Sequence, residues 1–235
     1  MAIALITAGG VGARTGKVVP KQYLTVNDIP IIVYTMKNIQ RSMCYDELYI
    51  VCSDGWKDFV WSYALQYNID ILCDTFSGGN TRFQSVYNGL KELNRTHKHN
   101  EVISILDGNR PMTPLQIFQD AVNKADIADC VIPLEECFDS MYYAEKANER
   151  IVNETLDRTK IFKGQSPETS TLGVAYSICE EAMNLGCVDK TLTALMLNKG
   201  KKVVFSEGSP LNFKITTSED IQLFKALIDT ETFKI

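Results

Sequence analysis

Short apolar runs recur along the chain and alternate with longer segments in which apolar positions return every three or four residues. The runs are IALIT from Ile3, ELYIVCS from Glu47, IDILCD from Ile69, VISILD from Val102, DCVIPL from Asp129 and KVVFSE from Lys202. Each has the length and β-branched content of a strand. Runs such as ISIL show no polar alternation, which predicts strands buried on both faces. Between them, Phe83, Val86, Tyr87, Leu90 and Leu93 share one helical face. Ile221, Phe224, Leu227 and Ile228 repeat that spacing near the end of the chain, behind Thr217-Ser-Glu-Asp220. That tetrapeptide reads as a capping box with Asp in place of the usual Glu. Strands alternating with helices predict an α/β fold: a mostly parallel, twisted sheet flanked by helices, formed as one domain over 1–235.

Residues 138–158, FDSMYYAEKANERIVNETLDR, break the pattern. They carry too few apolar positions for a core helix, and the middle stretch AEKANER reads as a polar turn. The segment predicts a two-stranded arm that projects from the main sheet. An isolated hairpin is marginal in water, so the arm is expected to pack on a second subunit.

Composition narrows the function classes. Of 235 residues, 45% are hydrophobic and 23% charged, which excludes disorder, collagen and coiled coil. A net charge of −5 gives nucleic-acid binding no bulk electrostatic support. No apolar run approaches the ~18 residues of a membrane span. The opening MAIALITAGG lacks a basic leader and reaches glycine early, so a cytoplasmic protein that keeps its N-terminus is expected. The seven cysteines are odd in number and none forms CxxC, which predicts buried free thiols in a reducing compartment. His97 and His99, in NRTHKHN, read as a solvated loop, which argues against a zinc site or a Cys–His catalytic pair.

The first run leads into TAGGVGARTGKVVPKQ. A glycine turn at the carboxyl end of a strand lets backbone N–H groups approach phosphate. The dinucleotide fingerprint from Gly10 fails at Thr15, and the P-loop pattern fails at Val11 and Val18. A glycine turn followed by Arg14 and then Pro20-Lys21 presents backbone donors and two cations, which suits a nucleoside triphosphate.

This stretch resembles nucleotidyltransferases that load a sugar or polyol phosphate onto a nucleotide, and later segments narrow the resemblance. Gly78-Gly-Asn-Thr-Arg82-Phe-Gln-Ser85-Val resembles GGxxRxxSV, and Leu106-Asp107-Gly-Asn-Arg110-Pro111 resembles HDxxRP. Asp139-Ser140 resembles a DT pair. Arg158 with Gln165-Ser-Pro-Glu168 resembles R…QTPQ, and Leu211-Asn-Phe-Lys214-Ile-Thr-Thr217 contains NxKITT. In this order these segments resemble the motifs of the cytidylyltransferases of 2-C-methyl-D-erythritol 4-phosphate and ribitol 5-phosphate.

The resemblance implies a Rossmann-like fold, a homodimer with shared active sites, and transfer of CMP from CTP to a polyol phosphate with Mg²⁺. The acceptor would serve isoprenoid synthesis in one branch and surface polymers in the other. It implies Arg14, Lys21 and Lys214 as catalytic cations. Ala8, Gly9, Gly10, Gly12, Gly79, Arg82, Ser85 and Asp107 would face the nucleotide, and Asp107 the metal. Arg110, Ser140, Arg158, Ser166 and Lys214 would face the acceptor, with Ser140 and Arg158 reaching into the partner subunit's site. Asp107 has a second reading as a turn or N-cap residue, Arg110 one as a structural ion-pair partner, and Arg82 one as a brace of its loop. The chain departs from the family pattern at Leu106 for histidine, Ser140 and Ser166 for threonine, and Glu168 for glutamine. Gly108-Asn109 and Asp189-Lys190 also differ from the residues usual there. The acceptor side has drifted more than the nucleotide side, and Gly164-Gln165 leans toward the ribitol phosphate branch. The competing readings are an NAD-type oxidoreductase and an inactive nucleotide-binding module.

Overall fold

The structure is a computed structural model, and it describes residues 1–9, 19–187 and 189–230. The first strand, β1 (Ala2–Ala8), is followed by a small hairpin of β2 (Thr25–Val26) and β3 (Ile29–Pro30). Then come α1 (Ile31–Ser42), β4 (Glu47–Cys52), α2 (Lys57–Gln66), β5 (Leu72–Ser77), α3 (Arg82–Thr96), β6 (Val102–Asp107), α4 (Leu115–Asn123) and β7 (Cys130–Glu136). An arm of β8 (Met141–Tyr143) and β9 (Glu154–Leu156) leads into β10 (Phe162–Gly164) and β11 (Glu168–Thr171). The chain continues through α5 (Leu172–Asn184), α6 (Leu192–Asn198), β12 (Val203–Glu207) and α7 (Ser218–Asp229).

The main sheet has eight strands in the order β10-β7-β11-β6-β1-β4-β5, with β12 pairing β7. β6, β1, β4 and β5 run parallel, as does β12 to β7. β10 and β11 run antiparallel to their neighbours. The uninterrupted apolar character of β1 follows from its place at the centre. Ala2, Ala4, Ile6 and Ala8 pack toward α1, α2 and α4 with Ile32, Met36, Val60 and Phe118. Ile3 and Leu5 pack toward α3, α5 and α6 with Val86, Leu90, Leu172 and Met196. A third cluster joins α7 to α1 and the β2–β3 hairpin through Phe224, Tyr34 and Val26.

The predicted strands and the two predicted helices are present, and the Thr217–Asp220 capping box forms with both of its hydrogen bonds. The IDILCD strand lies further along than the apolar run suggests. Asn68 takes a positive φ of 54°, and the Ile69 N–H bonds back to Ala64 at the end of α2. Pairing with β4 therefore begins at Leu72. β11 went unread because its sequence, ETST, is polar. Thr169 and Ser170 are nonetheless buried, and their hydroxyls are satisfied by Ser104 at 2.7 Å and by the Asp129 carbonyl at 2.6 Å. The expected solvated loop is corrected at His97. Its ring is nearly buried beside α3, with Nε2 2.8 Å from Glu47 and 3.3 Å from the Tyr49 hydroxyl, while His99 is exposed. All seven cysteines are free thiols, Cys73 and Cys187 being exposed. No helix among the described residues is long and apolar enough to cross a membrane.

Candidate active site at the carboxyl ends of the strands

Parallel strands end on one edge of the sheet, and the turns that leave them enclose a cleft of about 880 Å³. Its walls are residues 7–9 at the end of β1, 53–54 after β4, 78–82 and Ser85 after β5, and Asp107 and Asn109 at and beyond the end of β6. Lys21, Gln22, Lys214 and Thr216 close it.

The glycine walls are shaped by Ser85. Its hydroxyl donates to the Thr81 carbonyl and accepts from the Gly79 N–H, each at 3.0 Å. A β-carbon on Gly9 would lie 3.1 Å from that hydroxyl oxygen, and one on Gly78 would lie 3.3 Å from it. A β-carbon on Gly79 would meet Gln84 at 2.4 Å. The Gly79 contact leaves no room for a side chain, and a β-carbon on Gly9 or Gly78 would require Ser85 to yield by a few tenths of an ångström. The first turn of α3 is capped by Thr81, whose hydroxyl accepts from the Gln84 N–H. Lys21 stands on a single 3₁₀ turn held by its neighbours. Gln22 donates to the Ala8 carbonyl at 2.6 Å, and Tyr23 stacks on Trp56 at 4.0 Å between ring centres.

The charged center of the cleft is Asp107. Its Oδ1 pairs with Arg82 Nε at 3.3 Å, and its Oδ2 with Arg110 Nε at 3.0 Å and Lys214 Nζ at 3.1 Å. Burial opposes the ionised form of Asp107. The charge of Arg82, then those of Lys214 and Arg110, outweigh that and hold its carboxyl well below the usual carboxylate range. Around this center, hydrogen bonds tie together segments distant in sequence. Arg110 Nη1 donates to the Asn212 carbonyl. Asn212, fully buried, donates to Gln165 at 3.1 Å and to the Ser166 carbonyl at 2.8 Å, and accepts from Thr113 at 2.7 Å. Asn109 and Ile215 exchange two bonds, of 2.6 and 2.9 Å, beside Lys214.

The whole-chain comparison decides what this cleft belongs to. Residues 2–230 match the family model described as IspD, 2-C-methyl-D-erythritol 4-phosphate cytidylyltransferase. This chain belongs to the IspD family. It is 31% identical to a ribitol-5-phosphate cytidylyltransferase of Lacticaseibacillus paracasei, over 97% of this chain and 98% of that one. It is 32% identical to a 2-C-methyl-D-erythritol 4-phosphate cytidylyltransferase of Clostridium beijerinckii, over 95% and 96%. The 4-diphosphocytidyl-2C-methyl-D-erythritol synthase of Anaerococcus prevotii shares the fold with a TM-score of 0.83 at 22% identity, covering 97% of this chain and 98% of that one. The oxidoreductase and the inactive module are not favoured.

Within the IspD family frame, the structure brings together Ala8, Gly9, Lys21, Gly79, Arg82, Ser85, Asp107 and Lys214. Gly10, Gly12 and Arg14 lie outside the described residues. Arg110 stands behind Asp107 as its ion-pair partner. Ser166 is also behind it, buried, with its hydroxyl accepting from the Asp107 N–H at 3.3 Å. Ser140 and Arg158 are exposed on the arm and do not line this cleft. Arg158 donates instead to the Phe138 carbonyl. The departure at Leu106 is explained by strand alternation: its side chain is buried in the α1–α4 face, opposite Asp107. Sequence reading missed Ser53-Asp54 and the bracing amides Asn109 and Asn212. The position of Ser53-Asp54 directly after a parallel strand was the available signal. Both amides stood inside quoted motifs, Asn109 in the Asp107 segment and Asn212 at the head of NxKITT, but their bracing partners lie far off in sequence.

Proposed function

We propose that this chain transfers CMP from CTP to a polyol phosphate, of the ribitol 5-phosphate or 2-C-methyl-D-erythritol 4-phosphate class, and releases pyrophosphate. The observation that carries this reading is that Lys21 and Lys214 line one cleft together with the two glycine turns. In the reaction an oxygen of the acceptor phosphate forms a bond to the α-phosphorus. The bond from that phosphorus to the bridging oxygen breaks, and pyrophosphate leaves with the electron pair. A phosphate monoester is already an adequate nucleophile, so positioning and charge stabilisation supply the catalysis. Lys21 and Arg14 neutralise the triphosphate. Lys214, held at 3.1 Å by Asp107, meets the charge that builds up between donor and acceptor. Gly79 and Ser85 shape the base and ribose end of the cleft, and Arg82 and Ala8–Gly9 line it.

Magnesium is expected of the family. Among the described residues no three His, Cys, Asp or Glu gather into a metal site. Asp107 already gives one oxygen to Arg82 and the other to Arg110 and Lys214. These residues do not fit an ion held by the protein.

The acceptor side includes the arms of a homodimer. Ser140 and Arg158 sit away from their own cleft, and the arm leaves Tyr142, Ile151 and Val152 exposed. Burying that surface on a two-fold partner would deliver the Arg158 guanidinium, a bidentate phosphate ligand, to the other subunit's cleft.

The test is pyrophosphate release with CTP, UTP, ATP and GTP, each against a panel of polyol phosphates. Strong preference for CTP and turnover with one of the two named acceptors are expected. Equal turnover with a purine triphosphate, or none with any polyol phosphate, would overturn the reading.

A further inference from the structure

Arg82 does not rest on Asp107 alone. Its Nη2 lies 3.3 Å from Glu168 Oε1, while its Nε lies 3.3 Å from Asp107 Oδ1. Glu168 is itself anchored: its other oxygen accepts from the Thr193 N–H at 2.7 Å, in the first turn of α6. The register explains the meeting. Glu168 pairs with Ile105 on the neighbouring strand, so its side chain projects from the same sheet face as Asp107, two residues on. The carboxylate is buried at 5% exposure, and its two neighbours are Arg82 and a fixed backbone donor. A buried carboxylate so placed is costly unless it is paired, and here both of its oxygens are.

Where the family pattern carries a neutral amide, this chain carries a unit charge on the far side of Arg82. Without it the whole attraction of Arg82 would fall on Asp107, in competition with Lys214 and Arg110 for the same carboxylate. Resting on the function proposed above, we infer that Glu168 is a positioning residue: it clamps the outer edge of Arg82, so that Asp107 stays available to hold Lys214 against the reacting phosphates. Glu168 acts through Arg82 and Asp107 and lines no part of the cleft.

The test is a double-mutant cycle with Glu168→Gln and Arg82→Lys. Glu168→Gln keeps the shape and removes the charge, and should lower kcat about tenfold with KM for CTP little changed. The double variant should be no slower than the slower single variant, because both changes break one chain of contacts. If the amide variant does not fold, Glu168→Asp takes its place, keeping the charge but withdrawing it by one methylene. An NMR measurement of hydrogen exchange at the Arg82 Nε–H reads the clamp without turnover, and several-fold faster exchange is expected in Glu168→Gln. Parental kcat in the variant, multiplying losses in the double variant, or unchanged exchange would each overturn the inference. A parent enzyme inactive with every polyol phosphate would instead refute the functional reading, and the exchange comparison would still decide the clamp.

Discussion

At the scale of the residue, Asp107 shows how a carboxylate is kept charged out of water. Three cations within 3.3 Å offset the cost of burying it. Its folded-state pKa is depressed below the unfolded value of about 3.9. The stability it contributes is therefore full above about pH 4 and is lost as pH falls below that, where the unfolded chain takes up the proton first. Asp107→Asn leaves three cations facing one another and should cost about 3–5 kcal/mol at pH 7. Urea melts at stepped pH should show the gap between parent and variant narrowing below about pH 4. A gap that stays constant down to pH 3 would mean that the carboxylate does not titrate as its contacts require. The motif around Asp107 was legible in the chain, and so was the presence of Arg110 three residues on. An ion-pair role for Arg110 was legible too; that it also donates to Asn212 was not, because Asn212 arrives from the far end of the sequence.

At the scale of the element, α3 supplies Arg82 and Ser85 to the cleft, and its seating depends on Gly89. A β-carbon there would lie 2.7 Å from a Val51 methyl and 2.9 Å from a Leu5 methyl, both in the packed centre of the sheet. Gly89→Ala gains helix propensity but overpacks that contact, and a net loss of about 1–3 kcal/mol is expected. In a chain of this length that is a fall in Tm of about 2–4 °C per kcal/mol, to be measured by calorimetry. An unchanged or raised Tm would show that Leu5 and Val51 relax freely. At α7 the capping box is exposed and local. Thr217→Ala should cost about 1 kcal/mol in chemical denaturation, with kcat nearly unchanged. The box was legible because its four residues are contiguous. The glycine contact was not, since it involves three elements.

At the scale of the whole molecule, the shared-site proposal predicts that one chain alone does not make a complete site. Sedimentation should give a dimer for the parent protein. Subunits carrying Arg158→Ala, mixed and exchanged with subunits carrying Lys21→Ala, should regain activity. Each mixed dimer would hold one cleft with both side chains intact and one with neither, so about half of the parental activity per dimer is expected. No recovery despite demonstrated exchange would mean that each cleft is completed by its own chain.

Local pattern by itself determined the alternation of strands and helices, the two-stranded arm, the α7 cap and the residue types of the cleft. Each of these depends on neighbours a few positions apart, which is where periodicity, capping and turn chemistry act. Tertiary structure alone decided the polar strand β11, the partners of His97 and the network that joins residues 107, 110, 165, 166 and 212. A polar strand leaves no hydrophobic signature, because its burial depends on hydroxyl partners supplied by other elements. The same holds for Glu168. As a residue in the chain it is an ordinary acid, and it faces Arg82 only because antiparallel pairing with β6 sets it beside Ile105, on the face from which Asp107 also projects.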